Sequence, residues 1–147
     1  PMQEIVKEQP LNAKGIKPLL VAQPNKVQLQ GLLDSWLVTK AAILSGVNSE
    51  SLPIVAREPL VKRVQEERAK DAALGQIQKI QASIASLEVV KRAPVRIEIK
   101  AQLFYQDERL DSLGRTLSKT TVPTLSVTYI FGRDGEQWRL HHYISGT

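Results

Sequence analysis

Cysteine is absent from the 147 residues, which removes disulfides, thiolate metal sites and cysteine nucleophiles at once. Aromatic residues are scarce, at 5%, too few to build a stacking surface for single-stranded nucleic acid. Histidine occurs only as the neighbours His141 and His142. No apolar run approaches the roughly 18 residues of a spanning helix, and none follows a basic start in the manner of a secretory signal. The glycines are isolated or sit in a turn, so no loop is built to cradle a phosphate chain. Internal repeats and low-complexity tracts are missing as well.

What remains is ordinary globular material. Hydrophobic residues make up 42% and charged residues 24%, and a chain of this length buries roughly 70% of its unfolded surface without staples. The net charge of +5 favours acidic partners: a protein patch, an anionic lipid surface or nucleic acid. Pro1 stands ahead of Met2 and reads as the scar of a cleaved tag, with the chain a piece of a longer protein.

Residues 1–26 carry Pro10, Pro18 and Pro24 without lasting periodicity and read as an extended arm or linker, with Leu19, Leu20 and Val21 able to dock on the body. Residues 27–147 read as a single interaction domain. Leu29, Leu32, Leu33, Trp36, Leu37, Ala41 and Leu44 follow helical spacing, predicting a helix over 25–45 with Asn25 as cap and Gly46 as stop. A short helix is expected over 49–56, with Pro53 in its first turn. A third is expected over 58–74, its apolar side formed by Leu60, Val61, Val64, Ala69, Ala72 and Ala73. Beyond Gly75 the period falls to two. Ile80, Ala82 and Ile84 alternate, then Leu87 and Val89 alternate out of phase. A bulge near Ala85–Ser86 brings both sets onto one face. Val95 to Tyr105 is an unbroken alternation, Asp107 to Gly114 a polar loop, Leu125 to Phe131 a third strand, Gly132 to Gly135 a tight turn, and Trp138 to Ile144 a fourth strand. Helices followed by consecutive strands imply an α+β fold, with N-terminal helices packed on a curved four-stranded antiparallel sheet.

The order of elements resembles the cone-shaped nuclear-transport-factor-like superfold. The string Leu33-Asp34-Ser35-Trp36-Leu37-Val38-Thr39-Lys40-Ala41-Ala42 resembles the W-x-x-x-K-A opening helix of the IMS-type domain. That domain closes the J-domain-derived division proteins of cyanobacteria and chloroplasts. Leu74-Gly75 leading into the first strand, the stretch from Val95 to Leu103, and Gly135-Glu136-Gln137-Trp138-Arg139-Leu140 are similar too. The resemblance covers residues 27–147. It implies a non-enzymatic adaptor without a cofactor, gripping the C-terminal tail of a membrane-associated division partner. It also implies a membrane-associated parent protein, with the periplasmic side favoured and the cytoplasm open. The basic arm and the loop Arg109–Lys119 depart from the family pattern and leave the partner open.

Five residues are candidates for contact with a partner: Trp36, Lys40, Tyr105, Trp138 and His142. The two tryptophans are expected first as core packing of helix against strand, with a place in a groove wall as the alternative. Lys40 lies at the edge of the apolar stripe, where it either snorkels to water or faces the cavity mouth to meet a carboxylate. Tyr105 continues the inward alternation of the second strand. His141 and His142 point to opposite faces of their strand, so they cannot chelate one metal together. His142 shares the phase of Trp138, Leu140 and Ile144 and is expected inward, as a satisfied core group or a polar contact in the pocket.

Asp34 falls off the apolar stripe and is expected wet, with an unshifted pKa and no catalytic role. Lys91, Arg92, Arg96, Arg109, Arg115, Lys119, Arg133 and Arg139 are scattered. A solvated surface is their first reading, an acidic-protein or anionic-lipid patch the second. Nucleic acid is not expected, because no binding motif accompanies the charge. Three functions follow: an interaction domain using a groove between the first helix and the sheet, a small-molecule binder or isomerase in the same cavity, and a homodimer through the sheet.

Overall fold

The computed structural model describes residues 15–146. Helix α1, Lys26–Leu44, starts on a reciprocal cap. Asn25 Oδ1 accepts from the Gln28 amide at 2.8 Å, and Gln28 Oε1 accepts from the Asn25 amide at 2.9 Å. Two of the amides that a helix start leaves orphaned are thereby satisfied. Its buried stripe is Leu29, Leu32, Leu33, Trp36, Thr39, Ala42, Ile43 and Leu44. Leu37 and Ala41, expected within it, are only half-buried.

Helix α2 is one turn, Leu52–Val55, shorter than the sequence suggests, with Pro53 in that turn. Helix α3, Glu58–Ala73, buries Leu60, Val61 and Val64 in its first half. Ala69, Ala72 and Ala73, expected on its apolar side, are exposed, and Asp71 is buried instead.

The sheet is a four-stranded antiparallel meander, β1-β2-β3-β4. Its strands are β1, Ile77–Ala93, β2, Arg96–Leu110, β3, Thr116–Asp134, and β4, Gln137–Ser145. The register breaks between Ile84 and Ser86, where the two phases of apolar residues meet. Ile80, Ala82, Ile84, Leu87 and Val89 therefore share the inner face, opposite Asp107, Tyr105, Leu103, Ala101 and Ile99. Helix α1 lies along this face, chiefly against β1. Trp36, Phe131, Trp138, Ile99 and Leu140 sit at the centre of the core.

Two sequence expectations about loops fail. Asp107 to Leu110 and Thr116 to Lys119 are strand, paired with each other as the far end of the β2–β3 hairpin. Only the turn between them, where Asp111 accepts from the amides of Leu113 and Arg115 at 2.9 Å, is a loop. These residues lack apolar alternation, yet a hairpin already in register extends by backbone pairing alone. Pro123 falls in the stretch where Tyr105↔Val122 and Leu103↔Leu125 pair out of step, a place where its missing donor matters little. The second failure is the turn at 132–135. Gly132 is inside β3, and the hairpin bends at Gly135 and Glu136, with Gly135 at φ 63°.

The part of the arm within the described residues does dock. Leu19 bridges Trp138, whose backbone amide donates to the Leu19 carbonyl at 3.0 Å. The Trp138 indole donates to the Val21 carbonyl at 2.9 Å. Leu19 is half-buried, whereas Leu20 and Val21 stay exposed. The prolines and apolar residues ahead of position 15 lie outside the described residues.

Candidate functional site

The hollow between helices and sheet is organised by a bulge in β4. Opposite Phe131 stands Leu140, but opposite Ile130 stands His142, so His141 is an extra residue. An extra residue reverses the alternation beyond it. Trp138 and Leu140 face inward before the bulge, and Tyr143 faces inward after it. His142 is consequently on the outer face and exposed; the inward placement expected from its phase is overturned.

Tyr143 meets α1 inside the hollow. Its ring centroid lies 6.0 Å from that of Trp36 and 5.9 Å from that of Tyr129. Lys40, one helical turn beyond Trp36, places its ammonium 5.6 Å from the Trp36 ring and 5.5 Å from the Tyr143 ring. The same ammonium donates to the Tyr143 hydroxyl at 3.5 Å. From α3, the Arg63 guanidinium lies 5.9 Å from the centroid of the Tyr143 ring. These groups line a pocket of about 170 Å³, closed by Leu60 and Val64 and rimmed by Glu66 and Glu67. Cations against aromatic faces are held in place without being neutralised. Among the described residues Lys40 and Arg63 make no ion pair.

Tyr105 stands nearby, its hydroxyl donating to Asp107 at 2.8 Å. Burial, that hydrogen bond and the charges of Asp107, Glu67 and Tyr143 push its pKa well above the ordinary phenol value. Burial does the same to Tyr129. Both hydroxyls stay protonated at neutral pH. Below them is a polar knot. Asp71 accepts from Arg109 at 2.6 Å and from Gln78 at 2.8 Å, and Gln78 also donates to Glu67 at 2.8 Å. Burial raises the Asp71 pKa, but the Gln78 and Arg109 hydrogen bonds and the charges of Arg109 and Arg68 outweigh it, leaving the carboxyl below its usual range.

Of the five sequence candidates, the structure brings together Trp36 and Lys40, with Tyr105 near them. Trp138 is fully buried on the opposite side, clamping the arm. Sequence reasoning missed Tyr143 and Arg63. The signal for Tyr143 was the run Leu140-His141-His142-Tyr143, where two polar residues in succession break the alternation. Asp34 is exposed on α1 as expected, but partial burial raises its pKa, contrary to the unshifted value anticipated. It does not line the hollow. No group of three potential ligands among His, Asp and Glu is close enough to hold a metal among the described residues.

The sequence matches the family description "ARC6-like, IMS domain" over residues 30–141. The chain belongs to the ARC6-like IMS domain family. The fold of this IMS domain is similar to the crystal structure of the intermembrane space region of chloroplast protein ARC6. The TM-score is 0.68 and the identity 16%, covering 84% of this chain and 97% of that one. No curated protein sequence matches the chain. The helices, the four-stranded sheet and the division-protein family expected from the sequence are all present in these matches.

Proposed function

We propose that this IMS domain is a non-catalytic interaction module that holds the carboxyl-terminal tail of a division-site membrane partner in its hollow. The observation that carries this reading is the Lys40 ammonium, held between Trp36 and Tyr143 and free of any carboxylate among the described residues. A terminal carboxylate entering from solvent receives charge-assisted hydrogen bonds from Lys40 and Arg63. The last side chain of the tail packs on the rings of Trp36 and Tyr143, with Leu60 and Val64 as further walls. The positive charge of the chain aids encounter with an acidic segment. The likeness to an intermembrane space region supports a place on the far side of a membrane from the cytoplasm, the periplasm in a bacterial setting. A homodimer through the exposed sheet is compatible with this use of the hollow.

An isomerase-type reading requires a buried carboxylate base beside a substrate. Asp34 is on the exposed side of α1, and Asp71 is tied to Arg109 and Gln78. The test is a calorimetric titration with tail peptides carrying either a free carboxylate or a terminal amide. The free acid should bind at least tenfold more tightly, the scale of a lost charge-assisted bond. Lys40→Met, which keeps the apolar stem, should erase that difference. Equal binding of acid and amide, or no binding of either, sinks the proposal.

A further inference from the structure

A second cleft, at the opposite end of α1, is not used by the tail-binding hollow. It measures about 610 Å³ and lies between the segment 22–25, the β1–β2 hairpin and Trp138. Two guanidiniums line it, Arg92 from β1 and Arg133 from β3, and no acidic side chain does among the described residues. Asn25, the cap of α1, stands on its wall, so the positive end of a 19-residue helix faces the same space.

The two arginines are held differently. Arg92 donates to the Pro24 carbonyl at 2.7 Å, which spends one of its five donors and orients the rest. The Arg133 backbone amide donates to the Val95 carbonyl at 3.0 Å, while its side-chain Nε is closed off from solvent with no acceptor. Buried guanidinium donors without acceptors are rare in folded proteins. A modest rotation that brings a ligand oxygen to Arg133 gains a bond that the free protein lacks. Adjoining the lining residues Pro94 and Ala22 along the chain, Val95, Leu20 and Val21 are 61%, 52% and 40% exposed.

We infer that this cleft is a binding site for a phosphate-type oxyanion, presented by an anionic phospholipid headgroup or as a free phosphate. Paired guanidiniums match phosphate oxygens bidentately. The volume exceeds the need of a bare ion and suits a headgroup, and exposed aliphatic side chains on the adjoining residues suit the interface from which a headgroup protrudes.

The test follows the indole N–H signal of Trp138 by NMR. This group lines the cleft, and Trp36, the only other tryptophan, is in the hollow. The full chain is titrated with inorganic phosphate at constant ionic strength against chloride, and separately with vesicles of phosphatidylglycerol or of phosphatidylcholine. Arg133→Gln, Arg92→Gln and the distant control Lys119→Gln are compared. The expected result is a saturable shift with phosphate, with phosphatidylglycerol vesicles or with both. That shift should be weakened about tenfold or more in each arginine variant and unchanged in Lys119→Gln. A response to vesicles alone identifies the lipid as the source, and a response to free phosphate alone identifies the soluble ion. No response beyond chloride, or one equal in Arg133→Gln and wild type with both spectra folded, overturns the inference. Neither result depends on whether a tail peptide binds in the hollow.

Discussion

The guanidinium of Arg57 lies against Gly132 so closely that a Cβ at residue 132 would stand 2.5 Å from the Arg57 Cζ. From there Arg57 donates to both carboxylate oxygens of Asp134, at 2.9 and 2.7 Å, and its Nη1 lies 3.1 Å from His141 Nδ1. The absence of a side chain in β3 thus lets a residue from the α2–α3 junction reach across the edge of β4.

Gly132→Ala should therefore displace Arg57 rather than strain the backbone. The expected loss is about 1 kcal/mol, the scale of a bidentate but half-exposed pair. In an Arg57→Ala background the same change should be neutral or slightly stabilising, because glycine in a strand carries an entropic disadvantage. Urea unfolding of the four proteins of this cycle decides it; equal losses in both backgrounds would remove the close approach as the cause.

Asp71 makes stability depend on acid. Its folded pKa is lowered, so its contribution is fully present above the unfolded carboxylate value of about 3.9 and is lost as pH falls through the folded value. Asp71→Asn should lose roughly 1–3 kcal/mol at neutral pH, since Arg109 is left without its partner. The gap between variant and wild type should narrow below about pH 4. Unfolding free energies measured from pH 7 to pH 2 check the sign; a gap that widens in acid contradicts it.

The β4 bulge accounts for Tyr143. Deleting His141 removes the extra residue but leaves His142 opposite Ile130 and Tyr143 opposite Tyr129, so Tyr143 should stay inward. Contact between Tyr143 and Trp36, followed by nuclear Overhauser effects, should persist in the deletion variant, and its loss would contradict His141 as the extra residue. His142→Ala should change stability by less than about 0.5 kcal/mol, because His142 is on the outer face. A large loss there would place it inside after all.

Thr39 is 1% exposed, and its hydroxyl has no partner among the described residues. Thr39→Val preserves the shape and the β-branch while removing the buried polar atom. It should stabilise the domain by about 1 kcal/mol, read as a rise in thermal midpoint. A fall would mean that the hydroxyl is hydrogen-bonded in solution.

What was legible in the sequence was whatever is written over neighbouring residues. The α1 boundaries follow from Asn25, Gly46 and the spacing of Leu29 to Leu44. The first bulge follows from the phase change between Ile84 and Leu87, and the α+β order follows from the switch of period after Gly75. Three features needed the tertiary structure. Strand pairing of Asp107 to Leu110 with Thr116 to Lys119 has no apolar alternation to announce it, since backbone hydrogen bonds alone extend a hairpin already in register. The bulge at His141 depends on how β4 meets β3, and it alone decides that Tyr143 rather than His142 enters the hollow. The burial of Asp71 depends on Arg109 and Gln78 arriving from two other elements. Periodicity records which side of an element is apolar. Register, and the meeting of charged groups from distant positions, are settled only when the elements pack.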